Sequence, residues 1–100
     1  MNTSITIRIA KLAGKFAENK DIARDIRKEK IAPAIDKGQN VILDFHDVEA
    51  ATQSFIHALI SQLIRDHGIQ VLDTVVFKDC NDTVKKIVEI VVDYMQHEDE

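Results

Sequence analysis

The sequence predicts a single α/β domain, and three observations support this. The chain has 100 residues, the size of one ordinary domain with one modest core. Apolar residues make up 45% and charged residues 30%, the balance of a soluble globular chain. Strand and helix signals then alternate along the chain, which is the pattern of helices layered on a sheet.

The first element is "SITIRI", where Ile5, Ile7 and Ile9 alternate with Thr6 and Arg8, as in a half-buried strand. Lys11 to Phe16 contain Gly14 and read as a turn, with room for a short second edge strand. Asn19 or Asp21 offers an N-cap for a helix running through "DIARDIRKEKIAPAIDKG" to Gly38. Ile22 and Ile26 are four apart, as are Ile31 and Ile35, but Ile26 and Ile31 are five apart. Pro33 lies beside that slip and predicts a kink or division around residues 29–32.

"NVILDF" at 40–45 is the clearest strand, and its continuous apolar run predicts cover on both faces. The following helix sets Phe55, Leu59 and Leu63 beside Ile56, Ile60 and Ile64, and closes at "RDHG". "VLDTVVF" at 71–77 is a third strand. Asn81 or Asp82 caps a last helix whose core side is Val84, Ile87, Val88, Val91 and Met95. "QHEDE" reads as a frayed acidic tail. The 41–45 and 71–77 strands are expected to be parallel, joined by a right-handed crossover.

Composition narrows the function. A net charge of −4, scattered basic residues and five aromatics without tryptophan argue against nucleic acid. No apolar stretch approaches the ~20 residues of a membrane span. "MNTSITIRIA" lacks the pattern of a signal peptide. The single cysteine, Cys80, allows no internal disulfide and fits a cytoplasmic setting. No phosphate-cradling loop is present, and no cofactor is expected.

Chemistry-bearing side chains cluster after the central strand. Asp44, Asp47 and Glu49 lie beyond its carboxyl end, the edge where open α/β sheets gather ligands. Solvated loop carboxylates are the plainer account. His46, His57, His67 and His97 have no metal-ligand spacing with one another or with Cys80. Cys80 precedes a helix N-terminus, which can favour thiolate, although a small packing residue explains it as well. Ser54 and His57 are three apart and share a helix face. A hydrolase built on them would still need an orienting group and an oxyanion hole. Thr52 and Ser54 can each cap the helix. A phosphate on Ser54 would add about −1.5 to −2 charges at the positive helix end.

The stretch "VILDFHDVEAATQSFIHALISQL" resembles the central strand, loop and helix of STAS domains, the anti-sigma-factor antagonist fold. It is most similar to the bacterial STAS-like family of uncharacterised function, through Asp44-Phe45, Val48 and Ser54-Phe55. The resemblance extends over most of residues 5–95. It implies a single-domain mixed sheet with helices packed mainly on one face. In the antagonists a partner kinase phosphorylates the second of two hydroxyl residues lying between an Asp and a Gly. Ser54 takes the phosphoacceptor position here, whereas Thr52 stands for the Asp, Gln53 for the first hydroxyl and Phe55 for the Gly.

The resemblance therefore implies a non-enzymatic regulatory domain. Residues 44–58, with Asp44, Asp47, Glu49, Thr52, Gln53, Ser54, Phe55 and His57, would dock on a partner protein of the histidine-kinase-type ATPase class. Two alternatives stand beside it: a small Ser54/His57 hydrolase, and a homodimeric assembly unit using an exposed edge such as the first strand.

Overall fold

A computed structural model describes residues 3–97. In chain order the elements are β1 (Ser4–Arg8), α1 (Ile9–Ala13), β2 (Phe16–Ala17), α2 (Lys20–Ile26), a π turn (Arg27–Ile31) and α3 (Ala32–Asp36). Then come β3 (Asn40–Asp44), β4 (Ala50–Ala51), α4 (Gln53–His67), a 3₁₀ turn (Ile69–Asp73), β5 (Val75–Lys78) and α5 (Asp82–Gln96). β3 is the middle strand of a sheet ordered β1-β3-β5, and β2 pairs with β4 in a separate short ladder.

The α/β class is as expected, but the mixed sheet is not. Every pairing among the described residues is parallel. Between β1, β3 and β5 the chain always passes through a helix, which returns it to the end where the previous strand began. Alternation along each strand then separates two faces. Ile7, Val41, Leu43 and Val75 are buried on one face, beneath the helices. On the other, Thr6 and Val76 flank Ile42 in register, and Val76 is 47% exposed. Helices thus cover one face, and the expectation of cover on both faces of β3 is corrected. Ile42 is only half-buried, with no element among the described residues lying over it.

The five-residue gap between Ile26 and Ile31 has a specific outcome. Asn19 caps α2, its Oδ1 accepting the Asp21 N–H at 2.9 Å. The helix widens at Arg27–Ile31, where the Ala32 N–H reaches back to the Arg27 carbonyl. One extra residue in that turn returns Ile31 to the face of Ile26, so both are buried. Pro33 stands just beyond, where its missing N–H costs least.

Two local readings change. Lys11 to Phe16 are not simply a turn: the strand stops at Arg8 and a short helix, α1, follows. Gly14, at φ 82°, ends α1 by donating its N–H to the Ala10 carbonyl at 2.9 Å. The short second strand, β2, does form. The predicted strand 71–77 begins only at Val75. Thr74 holds the preceding 3₁₀ turn, its hydroxyl and N–H both donating to the Val71 carbonyl, at 2.8 and 3.0 Å.

α4 buries the stripe foreseen for it, Phe55, Ile56, Leu59, Ile60, Leu63 and Ile64, and ends at Gly68. α5 buries Val84, Val91 and Met95, with Ile87 and Val88 half-buried. The Arg27 guanidinium ties the π turn to α4 by donating to the Ala58 carbonyl at 2.9 Å. No helix among the described residues is long and apolar enough to cross a membrane. Most of the acidic tail, residues 98–100, lies outside the described residues.

Candidate functional site

α4 begins on an extended residue, Thr52, whose Oγ1 accepts the Phe55 N–H at 3.1 Å. Thr52 is therefore the cap, and Ser54 is released from that duty. Ser54 stands in the first turn of α4 with its hydroxyl at the surface. Its neighbour Phe55 points the other way and is 0% exposed. Phe55, grouped above with the docking residues, is thus a core anchor that fixes the first turn rather than a surface contact.

Gln53, Ser54 and His57 line a groove of about 480 Å³ between α4 and α5, which Lys20, Ile90 and Tyr94 complete. Ile90 is 42% and Tyr94 60% exposed. The His57 ring lies 6.3 Å from that of Tyr94, tilted by 60°. Among the described residues no hydrogen bond joins Ser54 to His57.

The acidic residues occupy a different place. Asp44 ends β3, and its Oδ1 accepts the His46 N–H at 2.9 Å, turning the chain sharply. Asp47 follows at φ 69°, its carboxylate 3.6 Å from His46 Nε2. The Glu49 N–H donates to the Lys15 carbonyl at 2.8 Å, leaving its carboxylate exposed. Asp47 and Glu49 edge an open hollow of about 730 Å³ shared with Lys15, Asp79, Cys80 and Asn81. Asp44 borders a neighbouring one with Arg8 and Lys11. None of these side chains lines the α4–α5 groove. The residues predicted as one surface are divided between two.

Asn81 is the residue that sequence reasoning undervalued. Its Oδ1 caps α5 through the Val84 N–H at 2.8 Å, as foreseen. Its Nδ2 also donates to the Glu49 carbonyl at 2.9 Å and the Val48 carbonyl at 3.3 Å, pinning the acidic loop. Those long-range partners carry no local signal. Ile90 and Tyr94 did carry one: they are four apart, an apolar pair lying off the core stripe of α5.

Burial pushes the Cys80 thiol above its ordinary value, Lys85 opposes this, and Asp79 and Asp44 add to it. The helix start beside it does not make a thiolate. His67 is exposed at the end of α4, and His97 Nε2 lies 3.4 Å from Asp93 Oδ1. Among the described residues no cluster of three or more His, Cys, Asp or Glu side chains is placed to hold a metal ion.

Comparison with curated proteins and with solved structures returns no match. A family model does match, over residues 23–85, and its description is a STAS-like domain of unknown function. The match begins in α2 and ends in the first turn of α5, so it contains the whole of β3, α4 and β5. With well over half of its length matched, the chain belongs to the STAS-like domain family.

Proposed function

We propose that this STAS-like domain is a regulatory protein-binding module whose contact with its partner is made around the start of α4 and set by the charge on Ser54. One observation carries the reading: Thr52 holds the helix cap, and the Ser54 hydroxyl is exposed, with no hydrogen-bond partner among the described residues. Beside it lie two exposed apolar side chains, Ile90 and Tyr94, the kind of surface a partner protein covers. A phosphate of about −1.5 to −2 charges there would have to be desolvated on docking, and would weaken an apolar contact. The partner class implied by the resemblance is a histidine-kinase-type ATPase acting as kinase.

The test is capture from lysate of the source cells by tagged wild type, Ser54→Ala and Ser54→Asp, read by quantitative mass spectrometry. Wild type and Ser54→Ala should hold one partner in common, and Ser54→Asp should hold at least about tenfold less of it, a difference of ~1.4 kcal/mol. Equal capture by all three, or capture of nothing, removes the proposal.

A further inference from the structure

We infer a second interaction surface: the free edge of β1 takes up an extended acidic segment of a partner protein as an added parallel or antiparallel strand. This surface is separate from the α4–α5 groove and does not depend on Ser54. Among the described residues β1 is hydrogen-bonded on one side alone, to β3. The Asn40 N–H donates to the Thr3 carbonyl at 2.9 Å, so alternation turns Ile5 and Ile7 toward β3 and aims the backbone groups of Ser4 and Thr6 outward. An edge of this kind offers a ready ladder to an incoming strand.

The edge opens into a groove of about 510 Å³, bounded on its far side by the π turn and α3. Pro33 and Ala34 give that wall a small apolar middle. The charges around it choose the occupant. Among the described residues, Arg8, Lys11, Lys30 and Lys37 border the groove against a single acid, Glu29, on a chain whose net charge is −4. Among the described residues none of the three lysines forms an ion pair. Lys11 follows the carboxyl end of β1, and Lys37 comes just before the turn that leads into β3 beside the start of β1. Acidic side chains along an added strand would meet basic groups near both ends. A second copy of this chain, pairing edge to edge, would bring these cations against their own kind.

The experiment measures binding of a labelled peptide of alternating valine and glutamate, long enough to span β1, with a glutamine-for-glutamate peptide as the neutral control. The acidic peptide should bind, the neutral one at least about tenfold more weakly. Thr6→Pro removes one outward N–H while sparing the ladder to β3, and should weaken binding by about tenfold. Lys30→Glu/Lys37→Glu should do the same or more. Slowed hydrogen exchange of the Thr6 amide on adding peptide is expected in wild type, and decides the matter should Thr6→Pro not fold. The inference is overturned if the acidic peptide does not bind, in which case the lysines only guard the edge against aggregation. Unchanged affinity in a folded Thr6→Pro, or unchanged Thr6 exchange, overturns it too. So does a dimer that dissociates on Thr6→Pro, which would give the edge to a second copy.

Discussion

The two faces of β3 are built from adjacent apolar residues and behave as different materials. Val41 and Leu43 are fully buried beneath the helices, whereas Ile42, between them, looks out past Thr6 and the exposed Val76. In sequence the three are one run. The difference teaches that an apolar strand becomes a core strand only on the side where other elements arrive, and among the described residues they arrive on one side.

Truncation is the strongest way to break that contrast. Leu43→Ala leaves a cavity in the core on the helix-covered face and should lower unfolding stability by about 2–5 kcal/mol. Ile42→Ala removes half-solvated methyl groups and should cost about 1 kcal/mol. Urea denaturation of both variants checks the pair. Equal losses would mean that the outer face is covered in solution.

A second contrast lies within one helical turn. Thr52 and Ser54 bring similar hydroxyls to the start of α4, but only Thr52 accepts a backbone N–H. Thr52→Ala should cost about 1 kcal/mol. Ser54→Ala should stay within about 0.5 kcal/mol, as for a surface residue with no structural partner. Thermal melts of the two variants give the comparison directly. A large loss on Ser54→Ala would assign that side chain to stability and remove the basis for treating it as a switch.

How far the sequence led follows the same division between local and long-range causes. β3, α4 and α5 were legible because period, cap and stop signals agree within a few residues: Thr52 or Ser54 at one end of α4, Gly68 at the other, and the stripe from Phe55 to Ile64 between. The five-residue step from Ile26 to Ile31 marked the break in the first helical segment, though not its form as a π turn. Thr74 was opaque, since a threonine suits a strand and also closes a turn, and its bond to Val71 decided for the turn. The site was half legible. Ser54 could be placed at a surface helix start, but a sequence could not show that Phe55 turns inward, that Asp47 and Glu49 face another hollow, or that Asn81 reaches back to their loop. Those facts depend on contacts spanning about a third of the chain.

The smallest expected effect probes the outer face by its charge rather than its packing. Asp44 stands on that face between Arg8 and Lys78 in register, and its carboxylate contributes to the environment of Cys80 beyond β5. Burial is the largest influence on the thiol and raises its pKa; Lys85 lowers it, and Asp79 and Asp44 raise it. Since thiolate is the reactive form, Cys80 should be alkylated by iodoacetamide at mildly alkaline pH more slowly than a cysteine in an unstructured peptide, with a rate inflection displaced to higher pH. Lys85→Ala removes an opposing cation and should slow alkylation further. Asp79→Asn and Asp44→Asn should each quicken it, Asp79→Asn the more. These changes should stay within about fivefold and shrink as salt is added, because the charges are largely solvated. If Asp44→Asn changes the rate and leaves the melting temperature alone, the outer face acts on its surroundings through charge while the inner face holds the fold. If it lowers the melting temperature as Leu43→Ala does, the two faces are not different in kind.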